Sequence, residues 1–448
     1  MKSVIICDME GVIQEMNKGA LEMFGYTKKE LIGKKRVSIF SPGEIVIQNV
    51  LGWLEEANKK GKSLVKTNFI KKDGSKFNAE ILITPNFANG KDQPQTGYCG
   101  ITKEISEEVN IPINLTTKII KGIAITRGGF TLASILPMII VSVMLSQYNS
   151  LSIFNSVVSI LGVICVHIFG NLYNDYFDVK SGTDENNNEY FNVGDKSLIL
   201  RGAQISGGSR AIELGLITLK NTKKLGTFMI ASALTCAIIL STNIYLQTES
   251  LNNIYAIIII GVIGSLLAYF YTAEPLRLSA RKGLGELTIF LTFGPLLTFG
   301  SLFAMSNSEV AFNFEAFKLF LLIGIPLGLL TTNILFINQY PDYKSDKKSN
   351  KINLVVLLGK KMSRWIYFLN LILILILKYY FFDSFSKSLN NLNITGFYII
   401  LSLLTVYGLY IFRGLFKYFD SRELVNYNIQ TIYYQIVFCL AIILVFYL

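Results

Sequence analysis

Nine apolar runs dominate the chain from residue 129 onward: 129–147, 152–173, 225–246, 252–272, 286–306, 316–338, 364–382, 393–412 and 428–448. A helix needs about 20 apolar residues to cross the hydrocarbon core of a bilayer, and each run comes close to that length. The fold class expected is therefore an all-α polytopic membrane protein with nine transmembrane helices. The 51% hydrophobic content excludes an ordinary soluble enzyme. Residues 1–125 lack such runs and read as a small soluble domain placed ahead of the membrane part.

Lys and Arg cluster in alternate loops, and that bias sets orientation. Lys118, Lys121 and Arg127 precede the first span, and Lys180, Lys196, Arg201, Arg210, Lys220, Lys223 and Lys224 follow the second. Arg277, Arg281 and Lys282 follow the fourth, and a lysine-rich loop with Lys351 follows the sixth. The intervening loops are short and poor in both residues. The pattern places the N-terminus and the long even-numbered loops in the cytoplasm and the C-terminus outside. It also accounts for much of the formal charge of +11, so nucleic acid is not an expected partner. The five cysteines are scattered without a C-x-x-C pair and read as small packing residues. The opening "MKSVIICDMEGVI" is too short in its apolar part to read as a signal peptide.

Two spans end in carboxylates. Asn171, Asp175 and Asp178 stand at i, i+4 and i+7 in "NLYNDYFDVKSGTD", one face of a helix. Asn338, Asp342 and Asp346 stand at i, i+4 and i+8 in "NQYPDYKSDKKSNK". One such cluster reads most simply as a solvated helix end. Two matched ladders on the same side of the membrane call for cations, because unpaired charge at membrane depth is costly. Hard oxygen donors suit Mg²⁺, which takes a few carboxylates and completes its shell with phosphate and water. Arg210, Arg277, Lys282 and Lys351 lie in the adjoining loops and suit the same diphosphate. Pro341 removes a backbone donor and is expected to kink or end the second helix before Asp342. His167, the only histidine, precedes Asn171 by one helical turn and reads first as a packed residue.

These motifs resemble those of the UbiA superfamily of intramembrane prenyltransferases. Asn171-x3-Asp175-x2-Asp178 is similar to that family's first aspartate-rich motif, and Asp342-x3-Asp346 to its second. "TRGGFTLASILP", "ISGGSRAIELGLI" and "YTAEPLRLSARKGLGELTIFLTFGP" resemble further family segments, with Gly128 where proline is common. "KGLGE", Lys282 to Glu286, is most similar to the menaquinone branch, the 1,4-dihydroxy-2-naphthoate prenyltransferases. The resemblance implies Mg²⁺-dependent transfer of a polyprenyl group from an isoprenyl diphosphate to an aromatic or quinone-precursor acceptor. It implies Asp175, Asp178, Asp342 and Asp346 as catalytic, those four with Asn171 as metal ligands, and Arg210, Arg277, Lys282 and Lys351 on the diphosphate. Tyr173, Tyr176 and Tyr271 are aromatic candidates for the walls of the cation pocket, although a lipid-facing belt is the simpler reading of each.

In the soluble part, "VIICDMEGVI" reads as two strands around a turn, and "FIKKDGSKFNAEILITPNF" as two strands around an Asp-Gly hairpin. With "GYTKKELIGK" and a last strand in "GYCGITKEISEE", the segment resembles a small α+β PAS domain. The division expected is 1–108 PAS-like, 109–125 linker and 126–448 UbiA-like bundle. Haem ligation through histidine is excluded within 1–110, since His167 lies beyond it. Sensing of a small molecule, redox state or partner and a plain structural or dimerising role are the uses open to such a domain, and tuning of the membrane enzyme from the cytoplasmic face is the expectation. Two other classes compete with the enzyme. A PAS-linked membrane sensor explains the domain order but not the paired ladders. An ion-coupled transporter would tend to place its carboxylates at the bilayer midplane on broken helices, whereas these sit at span ends.

Overall fold

The computed structural model describes residues 2–9, 11–90, 92–181, 211–212, 215–249, 251–310, 314–386, 394–421 and 423–446. The chain divides into two compact units, residues 1–126 with 179–221, and residues 127–178 with 222–448.

The first unit is built on five strands, β1 (Lys2–Asp8), β2 (Ile13–Met16), β3 (Ser63–Ile70), β4 (Lys76–Asn86) and β5 (Gly97–Glu104). They pair antiparallel in the order β2-β1-β5-β4-β3. Strict alternation decides which face is covered. Ser3, Ile5 and Cys7 are buried while their neighbours are not, as a sheet with one packed face requires. Helices α1 (Lys18–Phe24) and α2 (Leu51–Lys60) belong to this unit. Phe24 stacks on Phe40 with centroids 4.1 Å apart and meets Phe69 edge-on at 5.7 Å, which seals the core.

The expected hairpin is present. Asp73 Oδ1 accepts from the Ser75 backbone at 2.8 Å, and Gly74 takes φ 86°, a left-handed conformation that glycine adopts without strain. In "GYTKKELIGK", Thr27 and Glu30 form a capping box that closes the short helix Lys28–Leu31. The segment read as a linker is partly helical: α3 (Leu115–Thr126) is capped by Asn114, whose Oδ1 accepts from Thr117 N at 2.7 Å. Gln48 fastens α3, donating to Pro112 O at 3.0 Å and accepting from Thr117 Oγ1 at 3.0 Å, and Lys121 pairs with Glu44.

The second unit is all helical. Its helices are α4 (Leu132–Gln147), α5 (Ile153–Ser181), α6 (Leu219–Thr248), α7 (Asn252–Phe270), α8 (Leu284–Phe293), α9 (Pro295–Met305), α10 (Phe314–Lys348), α11 (Leu354–Leu358), α12 (Lys360–Ser386), α13 (Ile394–Tyr418) and α14 (Leu424–Val445). Among the described residues, nine spans are long and apolar enough to cross a membrane, in agreement with the sequence reading. The α10 span is 72% buried and the α7 span 11%, so α10 forms the axis of the bundle while α7 turns its apolar side chains outward, as a lipid solvent permits.

Three local features differ from expectation. The fifth span is two half-helices, α8 and α9, broken at Gly294 and restarted at Pro295, a residue suited to the first turn of a helix. Second, α5 runs on to Ser181 and α10 to Lys348, past the apolar runs that end at 173 and 338, and both carboxylate ladders lie on these helices as their spacing predicts. Third, of the kink or end expected at Pro341, the end does not occur: α10 continues through it. Within a bundle, neighbouring helices and side chains make such a proline tolerable, and Tyr340 beside it is fully buried with its hydroxyl 2.8 Å from Ser363 Oγ.

Candidate functional site

Helix α5 carries the first ladder and α10 the second. Asp175 is 5% exposed and pairs with Arg127 Nη2. Arg127 follows α3 directly and takes φ 51°, so the backbone turns sharply before α4 begins. Asp178 lies within electrostatic reach of Lys351, Asp175, Arg127 and Arg277. On α10, Asp346 is 3% exposed; its Oδ2 accepts from Asn353 Nδ2 at 2.7 Å and its Oδ1 lies 3.7 Å from Lys351 Nζ. Asp342 stands half-buried one turn before it and acts on both Asp346 and Lys351.

Lys351 joins the two ladders. The loop after α10 returns through a backbone bond from Lys351 N to Asp346 O, 2.8 Å, with Asn350 in the left-handed region at φ 56°. That turn sends the ammonium back among Asp346, Asp178, Tyr271 and Asp342. Burial alone would push the ammonium down, but Asp346 and Asp178 outweigh it and hold Lys351 above the ordinary lysine value. Two carboxylate sets on different helices thus share one cation. Asn353 works twice here, since its Oδ1 also caps α11 by accepting from Val356 N at 2.8 Å.

The loop after the fourth span closes over this cluster. Arg281 and Ile352 form an isolated parallel bridge, and Lys282 N donates to Ile352 O at 2.6 Å. Arg277 lies near Asp178 and also lines an open cleft of about 630 Å³, together with Arg281, Lys282 and Asn350. Lys282 is therefore on the cleft wall, and Arg210 lies outside the described residues.

Some expected partners face elsewhere. Asn338 accepts from Asn428 Nδ2 of α14 at 2.9 Å, so the second ladder reduces to Asp342 and Asp346. Tyr173 packs against Phe169, Tyr176, Phe177 and Tyr269, with its hydroxyl 3.1 Å from Thr227 Oγ1. It belongs to the contact of α5 with α6 and α7. Tyr271, by contrast, does reach the cluster.

Two residues escaped the sequence reading. Asn174 sits beside Asp175 and one turn before Asp178, and its buried Oδ1 has no hydrogen-bond partner among the described residues. A buried amide oxygen left without a donor is costly unless something else meets it. Its i, i+4 relation to Asp178 was the available signal. Glu286 is 4% exposed, and its Oε1 accepts from Gln339 Nε2 and from Leu354 N, each at 2.9 Å, fastening α8 to α10 and α11. An acid within an apolar run was its signal. Among the described residues no three His, Cys, Asp or Glu side chains converge as a ready-made metal cage. The donors present are hard oxygens, from carboxylates and the Asn174 amide. They fit a cation such as Mg²⁺, which takes one or two carboxylates and fills its shell from phosphate and water.

A sequence profile of the UbiA prenyltransferase family matches residues 135–432, and a PAS-domain profile matches residues 1–107. UbiA prenyltransferase domain-containing protein 1 of Dictyostelium discoideum is 27% identical over 208 residues, 46% of this chain and 54% of that protein. The 1,4-dihydroxy-2-naphthoate octaprenyltransferase of Bacillus subtilis is 24% identical over 240 residues, 53% of this chain and 65% of that enzyme. The chain thus spans about half the length of the first of these relatives and less than two-thirds of the second. Among solved structures, a UbiA homologue from Archaeoglobus fulgidus bound to DMAPP and Mg²⁺ is 16% identical, with 72% of this chain and 99% of that one covered at a TM-score of 0.45.

Proposed function

From the premise that this chain belongs to the UbiA prenyltransferase family, with a PAS domain ahead of the membrane bundle, we propose that it transfers a polyprenyl group from an isoprenyl diphosphate to an aromatic acceptor. The acceptor proposed is 1,4-dihydroxy-2-naphthoate or a related quinone precursor, and the metal is Mg²⁺. The observation that carries this reading is the position of Lys351, 3.7 Å from Asp346 Oδ1 on α10 and within electrostatic reach of Asp178 on α5.

Asp175, Asp178, Asp342 and Asp346 would hold Mg²⁺, with Asn171 and Asn174 as amide donors on α5. When bound, the metal supplies charge neutralisation to the diphosphate as it leaves. Lys351 and Arg277 add fixed positive charge where negative charge develops. Arg127 and Lys351 pair with Asp175 and Asp346. Glu286 holds α8, α10 and α11 in register and so keeps Asp342, Asp346 and Lys351 together. The bundle around the site excludes water from the allylic cation that departure of the diphosphate creates. By the Lys/Arg bias, the N-terminus and this site face the cytoplasm and the C-terminus lies outside.

The test uses purified full-length protein, a labelled prenyl diphosphate and a panel of hydroxyaromatic acceptors. Prenylated product and free diphosphate should appear in equal amounts with Mg²⁺ and disappear with a chelator. Absence of product with every acceptor would remove the enzyme reading in favour of a PAS-linked sensor or a transporter.

The PAS domain offers a second reading, that it modulates transfer. Gln48 and Glu44 fasten α3, and α3 continues directly into Arg127, the partner of Asp175. A chain beginning at Asn110 loses these fastenings and should transfer at a rate several-fold different from the full chain. Equal rates across ligand and redox conditions would show the domain to be a passive or dimerising module.

A further inference from the structure

His167 is the only histidine in the chain, and the chemistry described so far does not use it. It lies on α5, one turn before Asn171 and two turns before Asp175, which is about 12 Å deeper along the helix at 1.5 Å per residue. Its Nδ1 is 2.8 Å from Ser134 Oγ on α4, and Phe293 of α8 stands edge-on to the ring at 5.3 Å. Arg127, the partner of Asp175, is the charged group that acts on it. Ser134 is itself 3% exposed. The imidazole is part-exposed, and its Nε2 has no hydrogen-bond partner among the described residues.

The imidazole is thus fixed at one nitrogen and open at the other. The location is also specific. A diphosphate at the carboxylates leaves its prenyl chain running down α5 toward the bilayer interior. On that path the allylic carbon and the acceptor ring would lie between the ladder and His167.

We infer that His167 is the general base that takes the hydroxyl proton of the acceptor during transfer. The inference rests on the prenyl-transfer reading above. In the step, the allylic C–O bond breaks and its electron pair leaves with the diphosphate. A π pair of the ring forms the new C–C bond at the allylic carbon. The hydroxyl O–H pair becomes the carbonyl π bond of the keto tautomer, and the proton passes to Nε2. The alkylated ring carbon then gives up H⁺, or CO2 where it bears a carboxylate, leaving that bond pair in the ring, and the proton on Nε2 returns to oxygen, which restores the aromatic ring. In this proposal Ser134 Oγ is the acceptor from Nδ1–H, the direction that leaves Nε2 free to accept, and Ser134 is then a positioning residue.

The test compares wild type, His167→Asn and Ser134→Ala on hydroxyaromatic acceptors graded in hydroxyl acidity. Asparagine places an amide near Nδ1, so it can keep the Ser134 contact while removing Nε2. His167→Asn should lower kcat by roughly 10²–10³-fold on the least acidic acceptor, the range expected for loss of a general base. The loss should shrink steadily as the hydroxyl becomes more acidic, and KM for the prenyl diphosphate should stay unchanged. Ser134→Ala should show the same trend at smaller amplitude. It carries the test if the asparagine variant does not keep the wild-type melting profile. An equal loss on every acceptor, or none, overturns the base assignment. Failure of the underlying reading would show separately, as wild-type protein that forms no prenylated product.

Discussion

Asp175→Asn should lower prenyl transfer by roughly 10³-fold at saturating Mg²⁺, the scale associated with losing a principal electrostatic contact to a developing charge. The substitution keeps side-chain volume and removes one negative charge, so the lost function is charge rather than shape. It also leaves the Arg127 guanidinium without its carboxylate partner inside the bundle. Breaking a buried pair by removing one member costs about 3–5 kcal/mol because the remaining charge is uncompensated, so a lower melting temperature is expected as well. The two effects separate in a double-mutant cycle. Adding Arg127→Gln to Asp175→Asn should recover most of the melting temperature while transfer stays lost, because the stability effect belongs to the pair and the metal-holding role to the carboxylate alone. Near-normal transfer by Asp175→Asn in Mg²⁺ would end the metal-clamp reading. Recovery of transfer in the double variant would reassign Asp175 to the folding of α5.

The division between what sequence could and could not supply follows physical range. Span count depends on runs of apolar residues, a local quantity, and all nine spans appear in the fold. The PAS strands follow from two-residue alternation and from an Asp73-Gly74 turn whose chemistry is contained in a few residues. The first ladder's spacing likewise told which side chains share a face of α5. What spacing could not tell is which way a second helix is rotated against its neighbours. Asn338 has the right interval from Asp342, yet its amide is taken by Asn428, a residue 90 positions later. Pro341 is a similar case: its local preference is to stop a helix, and the packing of α10 at the bundle axis overrides it. Asn174 stands outside the series of Asn171, Asp175 and Asp178, and only its buried oxygen, without a hydrogen-bond partner among the described residues, distinguishes it.

Gly328→Val should be strongly destabilising, because the atoms it would strike cannot move aside. A Cβ at Gly328 would lie 2.4 Å from Phe290 O and 3.1 Å from Gly294 Cα, both main-chain atoms. Gly324, one turn earlier on α10, would place a Cβ 2.5 Å from Thr298 Oγ1, and a Cβ at Gly294 would lie 2.5 Å from Gly324 O. Gly324-x3-Gly328 is therefore a small-residue seam on which α10 crosses the break between α8 and α9 at backbone contact. Overpacking a core costs about 1–3 kcal/mol when side chains can shift, and here a whole helix must shift instead, so about 3 kcal/mol or more is expected. Gly261 on α7 supplies the control, since a Cβ there meets nothing within 4 Å and its valine variant should stay within about 0.5 kcal/mol of wild type. Unfolding of both variants in lipid nanodiscs measures the difference. A consequence at the site follows, since α10 also carries Asp342 and Asp346. Any Gly328→Val protein that does fold should have α10 displaced and transfer reduced, whereas Gly261→Val should retain both. A Gly328→Val protein as stable as wild type would show that the seam yields, and that the second ladder is positioned by its own loop contacts to Asn353 and Lys351 rather than by the helix crossing.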